Sequence, residues 1–420
     1  MQSPPPAHLL KVVLCIRKVW NAQPSRIFSN IPAKAVRNAC CYEKSRQSHP
    51  DKIKDFTTSG IRKSVYAYTH KNSHTIELFV MEGQPKLFPE LVSKVRFGDT
   101  SSDDSFSRAQ EWLSQCCSSH TLCNQKLGRL LPRRVIDVSG GSVRLVEIQT
   151  QIDRYIALSH CWGDSRPPCL TTLSTIKTNL CAIEWESIPD TFKHAIQITR
   201  KLGVRFLWID SLCIVQDDNL DWEEESSKMA SIYRNSYLTI CATQAPSDDY
   251  GLWPSLPVST LHKVTIQKEE KSYEIWFRED QVAYAVHLRA MHIIPVWECV
   301  RVLSPIATRS WTFQEQILSP RVLHFGNGEL LWECMEGSTC ECSSTGDFNW
   351  SYPHRNEKAE IYKVLSSGDP EKITDLWRSL VEQYSRLSMT LSKDMFPALS
   401  GIRSAAARCA LLLSKEHQNL

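Results

Sequence analysis

The sequence predicts an α/β fold in which a parallel sheet is flanked by helices. Two observations predict it. Apolar, strand-like runs occur at residues 155–158, 205–209 and 237–242, and a helical segment occupies each of the two intervals between them. Right-handed crossover connections turn such an alternation into parallel neighbouring strands with helices on the faces of the sheet.

Two segments are predicted before this region. Residues 1–60 are basic, with no acidic side chain before Glu43 and with consecutive prolines at 4–6. We interpret this stretch as a disordered tail, and a transit peptide is the alternative. Residues 61–137 form a segment of N-terminal strands and a Cys/His helix. Within it we expect strands at 64–70 and 75–80 and a polar, acidic loop at 99–107.

Residues 138–345 form the predicted core domain, and its two helices carry recognisable end signals. The first is expected to open at Pro189 and Asp190 and to close at Gly203, since proline favours the first turn and glycine the position after a helix. The second is expected to open with Asp221 and Glu224, which are spaced like a capping box.

The end of the core domain and the C-terminal segment are predicted from turn and period signals. Strand-like runs at 321–325 and 330–333 flank a Gly-Asn-Gly turn and predict an added β-hairpin. Further strands are expected at 263–267 and 272–277. Residues 346–420 are predicted to form a C-terminal helical region, with helix over 375–413.

Composition and charge exclude several classes of protein. The 49 basic and 46 acidic side chains nearly cancel, so no overall field draws the protein to nucleic acid or to an anionic membrane. No run reaches the roughly 18 to 20 apolar residues of a spanning helix. The 16 cysteines are scattered, which predicts reduced thiols in an intracellular protein. Neither common glycine-rich phosphate motif occurs, and the sequence identifies no cofactor.

The loops that leave the first two core strands hold candidate catalytic residues. In a parallel α/β sheet such loops share one edge, where ligands bind. The first loop carries His160 and the second carries Asp210 and Cys213. A thiol beside an imidazole and a carboxylate is a known type of nucleophile. The alternative is a core thiol, a structural imidazole and a turn cap. Four neighbours are expected to line the same edge, namely Trp162, Gly163, Asp164 and Ser211.

Cys116, His120 and Cys123 are candidate metal ligands. Their spacing of i, i+4 and i+7 places three potential zinc ligands on one face of a helix. Zinc usually needs a fourth ligand, for which residues 340–342 are a possible source. We favour the alternative, a helix that packs small apolar side chains.

Two further clusters of polar residues each allow two interpretations. The acidic run at 217–225 is expected to be a solvated helix N-terminus, and a cation site is the alternative. Arg309, Gln314 and Glu315 surround two aromatic residues. A buried Arg–Glu pair that organises the joint between two halves of the domain is favoured there over a catalytic carboxylate.

Several motifs in a fixed order resemble the fungal heterokaryon incompatibility (HET) domain. The central ones are YIALSHCWG at 155–163, IPDT at 188–191, LWIDSLCI at 207–214 and QDD at 216–218. The resemblance extends upstream through Trp112, the Cys/His positions and LPRRVID at 131–137, and downstream through Arg309, the QE pair at 314–315 and WEC at 332–334.

The resemblance implies a fungal, cytoplasmic protein of non-self recognition that triggers cell death or growth arrest through a protein partner or self-association. The HET family has been likened to TIR domains, flavodoxin-like α/β modules of which some cleave NAD. The resemblance therefore also implies a flavodoxin/TIR-like core. The alternative function that it implies is an enzyme, either a TIR-like NAD hydrolase or a tailoring enzyme of a fungal biosynthetic pathway. Neither nucleic acid nor membrane is expected as a partner.

Overall fold

The computed structural model describes residues 64–68, 73–81, 83–87, 92–94, 99–124, 130–164, 166–253, 262–268, 270–279, 304–326, 330–341, 357–389 and 397–402. The chain divides into two compact units. One contains residues 1–97 and 256–299, and the other contains residues 98–255 and 300–420. The predicted N-terminal tail, 1–60, lies outside the described residues.

Strands and helices are numbered here in chain order. The strands are β1 (Ser64–Tyr68), β2 (Ser73–Met81), β3 (Val92–Lys94), β4 (Arg134–Asp137), β5 (Arg144–Glu147), β6 (Tyr155–Ser159), β7 (Phe206–Trp208), β8 (Leu238–Cys241), β9 (His262–Lys268), β10 (Lys271–Glu279), β11 (Arg321–Phe325), β12 (Leu330–Cys334) and β13 (Ser338–Cys340). The α-helices are α1 (Asp103–Ser119), α2 (Ile176–Cys181), α3 (Asp190–Lys201), α4 (Asp210–Cys213), α5 (Asn219–Asn235), α6 (Ser310–Leu318), α7 (Glu357–Ser367) and α8 (Pro370–Ser385).

The first unit contains a five-stranded sheet. Its strands lie in the order β1-β2-β10-β9, all antiparallel, and β3 pairs in parallel with β2. The strands predicted in the N-terminal segment and at 263–267 and 272–277 are all present. The compact units cut across the predicted segments 61–137 and 138–345, because β9 and β10 from the middle of the chain share a sheet with β1 to β3.

The second unit is built on an eight-stranded sheet in the order β13-β12-β11-β8-β6-β7-β4-β5. The three predicted core strands are parallel neighbours, with β6 between β7 and β8, and β11 continues the parallel run beside β8. The sheet as a whole is mixed rather than parallel, which corrects the prediction. Antiparallel strands β4, β5, β12 and β13 extend it at both sides. The strands of β4–β5 and of β11–β12 are separated along the chain by only six and four residues, a spacing that antiparallel but not parallel pairing allows.

The two helices between the parallel strands pack against them as predicted, with one difference at a helix start. Every residue of β6, β7 and β8 is buried, which is typical of strands covered on both faces. Helix α3 begins at Asp190, and Gly203 follows it with a positive φ of 66°. Helix α5 is capped by Asp218, whose carboxylate accepts from the backbone N–H groups of Leu220 and Asp221, so the cap lies before the predicted Asp221–Glu224 pair.

Two polar stretches differ from their predicted structure. Residues 99–107 are not all loop: Ser102 caps α1, and two aspartates form its first turn, where the helix dipole favours negative charge. The acidic run at 217–225 is only partly solvated. Asp221 and Glu225 are buried, because they pair with Arg134 and Lys228 respectively.

The C-terminal part of the second unit is helical where the structure describes it. Helices α7 and α8 lie within the predicted segment 346–420, and α8 begins at Pro370, five positions before the predicted start of helix. In the described part of the chain, no helix has both the length and the apolar character needed to cross a membrane.

Candidate functional site

Polar side chains from three successive strand ends meet at one edge of the large sheet. Because β6, β7 and β8 are parallel, their carboxyl ends lie on the same side. The loop after β6 carries His160, the residue after Ile209 is Asp210, and a short 3-10 helix after β8 carries Asp248. Helix α6 adds Glu315, whose side chain reaches the end of β6.

His160 lies at the centre of this edge and is almost completely buried. Its Nε2 atom is 3.2 Å from Oδ1 of Asp248 and 3.7 Å from Oδ1 of Asp210. The edge of its ring meets Phe192 of α3, with the ring centres 5.0 Å apart. Arg309 donates a hydrogen bond of 2.8 Å to the backbone carbonyl of His160. The imidazole is thus held between two carboxyl groups.

Asp210 is the member of the cluster closest to solvent. Its side chain is 22% exposed, and it accepts hydrogen bonds from Nε1 of Trp162 at 3.0 Å and from the backbone N–H of Ser211 at 2.7 Å. Gly163 has φ +80°, and a Cβ there would lie 2.5 Å from the Cβ of Ser247. The loop after β6 therefore needs glycine in order to lie against the loop that carries Asp248.

Glu315 is buried and contacts the end of β6. Its Oε2 atom accepts a hydrogen bond of 2.5 Å from the hydroxyl of Ser159, the last residue of β6. Gln314 beside it has a buried Oε1 that accepts no hydrogen bond from the described residues. Arg309 and Glu315 form no direct ion pair in the described part of the chain. Each instead holds the end of β6, through its main chain and through Ser159 respectively.

Burial shifts the acid–base behaviour of three of these groups. It raises the pKa of Asp248 to about 8, with the charges of Asp210 and Asp249 acting in the same direction. Burial likewise raises the pKa of Glu315 to about 7, and it lowers the pKa of His160 to about 4. Near neutral pH the imidazole is neutral and Asp248 is mostly protonated. Buried acids with such shifted pKa values at a ligand-binding edge are typical of functional sites.

The structure brings together two of the three predicted catalytic residues. His160 and Asp210 are neighbours, whereas Cys213 lies in the apolar core at the end of α4 and is 1% exposed. Burial raises the pKa of its thiol to about 12, and a protonated thiol is a weak nucleophile. Within the described residues no hydrogen bond or ion pair joins Cys213 to His160 or Asp210. The catalytic role of these residues stays a prediction.

The other residues predicted to line the edge differ in where the structure places them. Trp162 and Gly163 contribute to the edge, Ser211 is buried beside Asp210, and Asp164 is exposed. Asp248 was not predicted from the sequence, although one signal was present. It follows the third parallel strand, so the rule that singled out the first two loops also applies to this one.

The Cys/His segment has a different local structure from the one predicted. Helix α1 ends at Ser119, His120 is its C-cap, and Cys123 lies in a separate 3-10 helix, Leu122–Asn124. The three residues therefore do not share one helix face. They still converge, together with Cys334 at the end of β12, so that the four potential ligand atoms lie within 4.8 Å of one another. Cys342 lies outside the described residues.

Asp248→Asn is expected to change how stability depends on pH. Between its ordinary pKa of 3.8 and the raised value of about 8, the folded protein holds a proton on Asp248 that the unfolded chain releases. This contribution to stability is complete at low pH and is lost as the pH rises towards 8. Glu315 acts in the same direction up to about pH 7, and His160 acts in the opposite direction only below its ordinary 6.5.

Urea unfolding at about pH 6.5 and about pH 8 tests this expectation, since the amide of the variant has no proton to lose. Wild type should lose roughly 1 to 2 kcal/mol more than the variant over this interval. Besides His160, the titratable or charged groups that act on Asp248 are Asp210, Asp249, Cys169 and Arg309, and they are the same in both proteins. Asp249→Asn, the exposed neighbour, should keep the larger part of the wild-type slope, because burial rather than the charge of Asp249 is the main cause of the raised pKa. Identical slopes for wild type and Asp248→Asn would contradict a buried, protonated Asp248.

The fold and this edge together define an α/β domain with a buried acid–imidazole cluster at the carboxyl ends of its parallel strands. Residues 155–315 match the family model described as Heterokaryon incompatibility protein (HET), so this segment of the chain is similar to the HET domain. The matched segment begins with β6 and ends at Glu315, so it includes every residue of the cluster. No curated protein and no solved structure matches the chain.

Proposed function

We propose that the protein acts in fungal non-self recognition, and that its HET domain triggers cell death or growth arrest by contact with a protein partner or a second copy of the chain. The observation that carries this proposal is the family match over residues 155–315. The proposed site of action is the cytoplasm, where the scattered cysteines would stay reduced. None of the cysteines whose side chains the structure describes forms a disulfide, in keeping with this proposal.

The proposal includes a flavodoxin/TIR-like core for the HET domain. Its support is the order of the parallel strands, β7-β6-β8-β11, which is 2-1-3-4 when the four are counted along the chain. Flavodoxin-like folds use this order and bind ligands where the order reverses, beside the first strand. In this chain that first strand is β6, and His160 follows its end directly.

The acid–imidazole cluster is proposed to be the part of the domain that responds to the partner. Neither oxygen of the buried Asp248 carboxyl accepts a hydrogen bond from a described residue, and Nε2 of His160 makes none. Buried polar atoms of this kind can gain hydrogen bonds from a molecule that binds at the edge. The half-exposed Trp162 and the partly exposed Asp210 give such a molecule access to the cluster.

Induced expression in a filamentous fungus tests the proposal. Wild type should arrest growth or kill the cells, and Asp248→Asn should lose this effect at an equal protein level, because the substitution removes the titratable acid. Asp249→Asn is the matched control one residue away and should remain toxic. Growth that is unaffected by wild-type protein at high level would contradict the proposal.

The same cultures distinguish protein contact from NAD hydrolysis as the cause of toxicity. Cellular NAD is measured from the time of induction, together with dye uptake as a marker of death. If toxicity arises from protein contact, NAD should stay constant until the membranes fail. A fall in NAD before any loss of viability would instead support the TIR-like hydrolase, and a toxic protein that leaves NAD unchanged would exclude it.

A further inference from the structure

Four potential metal ligands meet at one point in the unit formed by residues 98–255 and 300–420. Their ligand atoms, the three sulfurs and a ring nitrogen of His120, lie within 4.8 Å of one another, and Sγ of Cys334 is 3.3 Å from Nδ1 of His120. In tetrahedral zinc sites the metal–ligand bonds imply ligand atoms roughly 3.5 to 3.8 Å apart. We infer that Cys116, His120, Cys123 and Cys334 bind one structural zinc ion.

The ligands come from separate elements that the chain brings together over a long distance. Cys116 is in the last turn of α1, His120 caps that helix, Cys123 lies in the following 3-10 helix, and Cys334 ends β12 more than 200 positions later. The three thiols are 0%, 6% and 0% exposed for Cys116, Cys123 and Cys334. A zinc ion here would fasten α1 to the β12 side of the large sheet.

Arg321 provides the strongest argument for a metal rather than for four packed side chains. Its guanidinium is buried and donates to Sγ of Cys116 at 3.3 Å and to the carbonyls of Cys123 and Tyr237 at 3.1 and 3.2 Å. Among the described residues no carboxylate forms an ion pair with it. A buried cation is costly unless an opposite charge compensates it. Three thiolates around one Zn²⁺ carry a net charge of −1, which balances Arg321, whereas three thiols and a neutral imidazole carry none.

The surroundings of the ligands resemble the outer shell of a metal site. The side-chain amide of Asn124 donates to the carbonyls of Cys116, Cys117 and His120 at 3.1, 2.8 and 2.7 Å, which fixes the turn that carries the first three ligands. Asn124 also accepts from Arg321, so one network connects the turn to the balancing charge. Hydrogen bonds of this kind orient metal ligands and are part of the affinity of a site.

The chemistry of the ligand set favours zinc and a structural role. Three sulfurs and one imidazole are a common tetrahedral zinc set, and all four positions are filled by protein. A catalytic zinc would need an open position for water or substrate. The inference reverses our preference for apolar packing at Cys116, His120 and Cys123, because the sequence did not reveal that Cys334 joins them. It does not depend on the proposed function.

Metal content of the full-length chain tests the inference. Protein purified without chelator from zinc-supplemented cells should hold one zinc per chain by elemental analysis, and a thiol-specific mercurial should release it. Cys334→Ser should lose the zinc. Cys117→Ser, which alters the thiol next to Cys116, is the matched control and should keep it. A folded wild-type chain that neither contains nor takes up zinc would overturn the inference, as would zinc that persists unchanged in Cys334→Ser.

Cobalt substitution tests for the metal site even if Cys334→Ser does not fold. Wild-type protein loaded with Co²⁺ should show intense visible absorption from a tetrahedral ion and charge-transfer bands from its thiolates. Cys334→His, which offers a different fourth ligand, should keep tetrahedral cobalt and lose about a third of the thiolate intensity, since two of three thiolates remain. A weak, six-coordinate cobalt spectrum in the wild-type protein would overturn the inference.

Discussion

Asp221→Asn is expected to lower the free energy of unfolding by about 3 to 5 kcal/mol, because it leaves the buried cation of Arg134 without its carboxylate partner. The side chains are 2% and 6% exposed for Arg134 and Asp221, and they hydrogen-bond to each other directly. Asp221 also accepts from the backbone N–H of Val215 at 2.9 Å. Glu147 is 3.9 Å from Arg134 and half exposed, and the nearby Glu225 already pairs with Lys228, so neither carboxylate replaces that of Asp221.

Chemical unfolding of a small set of variants measures this effect. Glu224→Gln on the same helix is the matched control. Glu224 is 54% exposed and pairs with Arg133 and Lys228, so its loss should cost much less than the loss of Asp221. The double variant Arg134→Met/Asp221→Leu should be more stable than Asp221→Asn, since it removes both charges together. A cost of Asp221→Asn as small as that of the control would show that water reaches the pair.

The Arg134–Asp221 ion pair also holds in place the segment that follows Asp210 of the candidate site. Nε of Arg134 donates to the carbonyl of Cys213 at 2.7 Å, and Asp221 accepts from the backbone N–H of Val215. Both contacts fix the backbone of the segment that follows Asp210. The sequence could not predict the pair. In the sequence Arg134 belongs only to a family motif, and the spacing of Asp221 from Glu224 indicates a helix cap. Spacing along the chain describes local geometry, whereas this contact joins positions 87 apart.

The same limit explains which parts of the fold were predictable. The parallel strands β6, β7 and β8 are short apolar runs separated by amphipathic helices, and this local pattern is sufficient to predict that they are parallel neighbours in one sheet, but not that β6 lies between the other two. The antiparallel strands β4 and β5 were not predicted, since a strand of four residues has too few positions to show a clear alternation. Strands β9 and β10 were predicted as strands, but nothing local indicated that they belong to the sheet of β2.

Only those residues of the candidate site that directly follow a strand were predictable from the sequence. His160 and Asp210 were found because each directly follows a recognisable strand. Asp248 lies seven positions after the end of β8, inside a 3-10 helix, where neither hydrophobic period nor motif marks it. Cys334 is separated from His120 by 214 positions, so only the fold reveals their contact.

Trp208→Ala is expected to cost about 3 to 5 kcal/mol of unfolding free energy, because it opens a cavity where the sheet meets its covering helices. Trp208 is the last residue of β7, is 0% exposed and pairs with Ala157 of β6. Its ring meets that of Tyr233 on α5 edge-on, with the centres 5.6 Å apart. The residue therefore fixes both the sheet and the helix at the base of the loop that carries Asp210.

Urea unfolding of Trp208→Ala, Trp208→Phe and Trp185→Ala separates the cavity from the loss of a tryptophan as such. Trp208→Phe keeps most of the aromatic contact with Tyr233 and should cost clearly less than the alanine variant. Trp185 is 37% exposed and lies 6.0 Å from the Arg200 guanidinium, so its replacement by alanine should cost less than about 1 kcal/mol. Equal losses for Trp208→Ala and Trp185→Ala would mean that the sheet can close over the missing ring, and that β7 does not hold α5 in the way its packing indicates.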